Sequence, residues 1–184
     1  MQLVWPSERY LPGYVAALER GWSPNNLRPE AGREELEKIA KDPARFLEEL
    51  VDREARGAPV RTPDGTFVPR LPGYRRWMWD GEFCGSIALR WQRGTNALPS
   101  YCLGHIGYAV VPWKGGKGYA TLALKELLLA APAEGLSYVE VTADPSNFAS
   151  QRVILANGGV LVEKFVKSKQ YGGTEELRFR IALK

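Results

Sequence analysis

Apolar positions alternate with polar ones, or recur at helical spacing, in a sequence of short segments along this chain. Gln2 to Trp5 reads as a first strand. Ser7 offers a helix cap before Tyr10, Tyr14, Val15 and Leu18, with Pro12 and Gly13 making that helix start irregular. Helical spacing returns over 34–40. Asp42-Pro43 then places a capping side chain before a proline at the first helical position, predicting a helix to about Arg56. Gly57 to Gly73 is a long loop rich in Pro, Gly and Arg, a length that points to a lid or a variable insertion. Tyr74–Trp79 and Phe83–Trp91 flank Asp80-Gly81 as a hairpin, and a second turn precedes the strand Ile106–Val111. A helix over about Lys117–Ala131 presents Leu122, Leu124, Leu127, Leu128 and Leu129. Strand Tyr138–Thr142, helix Ala149–Ala156, and strands Val160–Val166 and Glu176–Leu183 complete the chain. Mixed strands with helices between them predict a layered α/β domain.

Composition narrows the class. At 184 residues one domain is expected, an N-terminal region over 1–73 with the variable loop 57–73 leading into a core over 74–184. A net charge of +4 with scattered Lys and Arg gives no basic stripe, so no nucleic-acid role is expected. No long apolar run or signal-peptide pattern appears, which argues against membrane insertion and export and favours a cytoplasmic protein. One histidine and two distant cysteines leave no metal-ligand spacing, so no metal is expected.

The stretch GHIGYAVVPWKGGKGYA (104–120) carries the chemistry. A strand closed by Pro112 runs into Gly115, Gly116 and Gly118 and then into a helix, which aims backbone N–H groups and the helix dipole at an anion. Lys114 and Lys117 flank the glycines as phosphate ligands or as solvated turn residues. The stretch resembles motif A of the GNAT superfamily of acetyl-coenzyme A-dependent N-acetyltransferases, Arg/Gln-x-x-Gly-x-Gly/Ala, matched at Gly118 and Ala120 with Gly115 in the Arg/Gln position. DPSNFASQRVILANGG (144–159) resembles motif B of the same family.

The resemblance implies a GNAT fold: a mixed, mostly antiparallel central sheet with helices on both faces. It implies acetyl-CoA lying along Ala109, Val110 and Val111, with its pyrophosphate on Gly115, Gly116, Lys117, Gly118, Tyr119 and Ala120, and further contacts from Asn147 and Ser150. The backbone N–H near Val110 would serve the oxyanion. Many members carry a Tyr four residues before the helix-ending glycine to protonate the leaving thiolate; Ile154 stands there.

Candidates for proton transfer come from the residues themselves. Glu140 lies on the polar face of a central strand, as a base or an ion-pair partner. His105, the only histidine, is a base by its ordinary pKa or a hydrogen-bonded structural group. Tyr108 and Tyr138 are acids or packed aromatics. Trp77, Trp79, Trp91 and Trp113 line a cleft or fill the core. The expectation is direct acetyl transfer to a primary amine, small-molecule or peptide. A non-catalytic acyl-CoA-binding or sensing module on the same fold is the alternative, and a homodimer stays open.

Overall fold

The computed structural model describes residues 1–184. In chain order the elements are β1 (Gln2–Val4), α1 (Leu11–Glu19), α2 (Ala31–Lys41), α3 (Pro43–Glu49), β2 (Val51–Asp52), β3 (Val60–Arg61), β4 (Phe67–Val68), β5 (Gly73–Trp79), β6 (Phe83–Arg90), β7 (Ile106–Val110), α4 (Tyr119–Ala130), β8 (Tyr138–Ala143), α5 (Phe148–Ala156), β9 (Val160–Val166) and β10 (Glu175–Ala182). The mixed α/β class is as expected.

The central sheet divides into two. One part runs β1-β5-β6-β7, with β2 also on β5; the other runs β8-β10-β9, and every pairing within both is antiparallel. β7, α4 and β8 form the crossover that sets the two parts side by side, because a strand returning through a helix lies parallel to the first.

Two cores follow from strand alternation. Ile87, Leu89, Ile106, Val139, Val141, Phe179 and Ile181 face α4 and its Leu124 and Leu127, forming one core across both sheets. Trp77, Phe83, Ala109 and Val111 face the other way, against Tyr14, Leu18 and Trp22 of the first helical region and Phe46 of α3. Helices α1–α3 cover only the first sheet's outer face.

Some boundaries differ from the sequence reading. The first helix begins at Leu11 rather than after Ser7, whose carbonyl accepts from the Tyr10 and Leu11 N–H groups; Pro12 is tolerated because early helical N–H groups have no partner. Asp42 caps α3 as expected, its carboxylate accepting from the Arg45 N–H at 2.9 Å. That helix stops at Glu49 instead of Arg56, since Val51 and Asp52 pair with Tyr74 and Gly73. The 57–73 loop contains a small hairpin, β3 with β4.

Candidate active site

β7 stops where Pro112 opens a 3-10 turn, and residues 115–118 carry the chain into α4, which has no side-chain cap. Gly116 (φ +76°) and Gly118 (φ +73°) are left-handed, a conformation a side chain would strain. The N–H groups of Gly116, Lys117, Gly118, Tyr119, Ala120 and Thr121 donate to no protein acceptor. Six free donors and the positive end of a helix dipole make a cradle suited to a pyrophosphate.

Asp80 holds both ends of this cradle. Its Oδ1 accepts from the Lys114 ammonium at 2.5 Å and its Oδ2 from the Tyr119 hydroxyl; Lys114 also pairs with Glu82 at 3.1 Å. The Lys114 and Tyr119 donors keep the Asp80 carboxyl well below the usual carboxylate range, and Asp80 in turn raises Lys114. Lys114 is thus a buried strut, neither solvated nor directed at a ligand, whereas Lys117 is exposed. By its place in the Asp80-Gly81 turn Asp80 reads as an ordinary turn residue, and nothing local distinguishes it; the link to Lys114 spans 34 positions.

Beside the cradle the two sheets part as a wedge. At its tip the His105 N–H donates to the Glu140 carbonyl at 2.7 Å, and the Glu140 N–H donates back to His105 Nδ1 at 2.9 Å. No ladder joins β7 to β8 beyond this pair. The Arg90 N–H donates to His105 and the Val111 N–H to Cys84, so odd-numbered residues of β7 bond to β6. Ile106, Tyr108 and Val110 therefore turn their backbone groups into the opening. Asn26, from the α1–α2 connection, donates to the Tyr108 carbonyl there at 3.0 Å, which brings the N-terminal region to the wedge.

The Tyr108 side chain meets α5, its hydroxyl 2.8 Å from Ser150 Oγ, and burial pushes Tyr108 up to about 12. Asn147 caps α5, its Oδ1 accepting from the Ser150 N–H at 3.0 Å. Ile154 is fully buried in the larger core. Tyr108, Ser150 and Asn147 are thereby gathered at the wedge.

The other candidates stand at the tip. His105 is fully buried; burial pulls it down to about 4 despite Glu140 and the Asn96 carbonyl, so it is neutral near pH 7. Glu140 Oε1 lies 2.7 Å from Arg180 Nη2, and Oε2 lies 3.6 Å from Arg178 Nε. Trp77 and Trp91 are core residues and Trp79 packs on Tyr10; Trp113 is partly exposed beneath the Arg20 guanidinium. No three His, Cys, Asp or Glu side chains are grouped to hold a metal, and no helix is long and apolar enough to cross a membrane.

A split α/β sheet with a glycine-rich cradle beside its wedge is the arrangement that the resemblance to the acetyltransferases implied. The family model described as "Acetyltransferase (GNAT) domain" matches residues 20–160, and the chain belongs to this acetyltransferase family. Similar solved structures include the Microcin C7 self immunity acetyltransferase MccE in complex with acetyl-CoA and AMP (13% identity, TM-score 0.64, covering 98% of this chain and 91% of that one). Mycobacterium smegmatis RimJ in complex with CoA-disulfide is also similar (20%, 0.64, 98% and 80%). So is a spermidine N-acetyltransferase SpeG chimera from Vibrio cholerae and hSSAT (13%, 0.63, 99% and 96%). No curated protein matches the sequence.

Proposed function

We propose that this protein transfers the acetyl group of acetyl-CoA to a primary amine by direct attack, without an acyl-enzyme. The observation that carries the reading is the uncapped cradle of Gly116 to Thr121, opening beside the wedge. Similar structures hold acetyl-CoA or CoA, which supports the choice of cosubstrate. Acetyl-CoA would supply an activated thioester.

The chain's own groups then have separate tasks. The cradle binds pyrophosphate through its N–H groups from Gly116 onward; the Gly115 N–H, expected to join them, is spent on the Pro112 carbonyl, and Asp80 fixes the loop's two ends. The N–H of Val110, turned into the opening, takes negative charge developing on the carbonyl oxygen. Tyr108, protonated at neutral pH and paired with Ser150, holds a proton for the departing thiolate in place of a group at 154. Glu140, at the wedge tip, is the carboxylate placed to receive the amine's proton through water. His105 positions Glu140 by fixing both backbone groups of that residue. The acceptor is a small-molecule or polypeptide amine.

Calorimetric titration of acetyl-CoA into the protein and into Gly118→Glu tests the reading. Binding to the first and not the second, followed by thiol release with an amine panel, is expected. Absence of binding to the unaltered protein overturns it. A non-catalytic acyl-CoA-binding role is favoured by one observation, the core burial of Ile154 where many relatives carry a tyrosine; binding without turnover of any amine would establish it.

A further inference from the structure

Arg90 is the last residue of β6, paired with Gly73 across the sheet. Its neighbour Leu89 enters the core under α4, so strand alternation places Arg90 on the opposite face, with Gly107 and His105. That face carries α1–α3 farther along; on Arg90's side the Tyr171 phenol, its hydroxyl bonded to the Tyr101 carbonyl, feels both the Arg90 and the Asp64 charges. The guanidinium lies over Gly107: Nη2 is 3.1 Å from where a Cβ on that residue would stand. Any side chain at 107 would displace it.

Arg90 is half-buried as a residue, and its guanidinium makes no ion pair, hydrogen bond or aromatic stack. Other arginines of the fold are engaged. Arg180 is held by Glu140, Arg178 by Glu163, Arg75 by Glu35, and Arg28 and Arg61 by Glu34. Glu140 is taken by Arg180 and Arg178, Glu163 by Arg178, and the Asp64 carboxylate by the Thr62 and Thr66 hydroxyls, which leaves the Arg90 guanidinium without a partner. A partly desolvated cation gains most from an oxyanion that can accept two parallel N–H bonds. The same excess charge repels polycations.

Resting on the acetyltransferase reading above, we propose that Arg90 is an acceptor-binding residue and that the acceptor is an amine bearing an oxyanion, a carboxylate or a phosphate. His105 fixes the strand beneath it, so the anion is held beside Glu140, where the amine's proton is received.

The test uses matched amines that differ only in charge: amino acids against their amides, and O-phosphoethanolamine against ethanolamine, with spermidine as a polycation. Release of free CoA thiol is followed with the native protein and with Arg90→Gln. About tenfold or greater preference in kcat/KM for the anionic member is expected, equivalent to one good charge-assisted contact. The variant should show less than about threefold preference at an unchanged KM for acetyl-CoA. Whether the carboxylate or the phosphate pair carries the preference identifies the oxyanion. Equal use of neutral partners, a preference for spermidine, or discrimination kept in Arg90→Gln would each overturn the proposal. A second arm works without cofactor: acetate or inorganic phosphate should shift the Gly107 amide resonance in the native protein and leave it unmoved in Arg90→Gln. If neither anion moves it in the native protein, the anion site is wrong even where acetyl-CoA binds. If one does while acetyl-CoA fails to bind, the acetyltransferase reading falls and the anion site stands.

Discussion

Asp80 and Lys114, 34 positions apart, meet at 2.5 Å, with the second Asp80 oxygen bonded to Tyr119 on the far side of the glycine loop. One carboxylate in a hairpin turn thereby sets the spacing of both ends of the cradle. Asp80→Asn is expected to weaken acetyl-CoA binding about tenfold by calorimetry, since a neutral amide releases Lys114 and loosens the loop. Because its neighbours hold Asp80 far below the ordinary carboxylate range, its contribution is present throughout neutral and mildly acidic pH and is lost only in strong acid.

Tyr108 is assigned the leaving-group proton. Tyr108→Phe should lower kcat by about a hundredfold, the lower end for a general acid, with the KM for acetyl-CoA changed less than about threefold. Burial pushes Tyr108 up to about 12, so loss of its proton should put no falling limb in the rate profile between pH 7 and 10. An unchanged kcat in the phenylalanine variant would remove it from the mechanism.

Restoring the tyrosine found in many relatives should fail. Ile154 is fully buried, and a Cβ on Gly159 would stand 2.4 Å from Ile154 Cγ2, so the site has no spare volume. Ile154→Tyr is expected to lose about 1–3 kcal/mol in chemical denaturation, the usual cost of overpacking, with no gain in kcat.

His105 gives the fold an acid-sensitive joint. Its pKa falls from 6.5 to about 4 on folding, so the unfolded chain binds the proton first as pH drops. Stability from this residue is complete above pH 6.5 and declines between 6.5 and about 4. The unfolding free energy of the native protein should fall across that window by about 3 kcal/mol more than that of His105→Gln. Parallel curves would show that the imidazole takes up its proton at the same pH in the folded and unfolded chains, and would remove this role.

The strand-and-helix order, the Asp42 cap and the glycine loop were legible in the sequence because each depends on neighbouring residues. Alternation marks strands, Asp-Pro marks a helix start, and clustered glycines before a leucine-rich run mark a turn that leaves N–H groups free. The halves of the site that lie far apart in sequence were not legible in this way. A free Lys114 and a Lys114 clamped by Asp80 have the same sequence, as do an ordinary turn aspartate and one that spans the loop. The meeting of Tyr108 with Ser150 and the isolation of Arg90 likewise depend on which strands and helices face each other. Local pattern fixes the backbone's short-range geometry; partners for charges and hydroxyl groups are chosen by packing, and only the tertiary structure brings those groups within bonding distance.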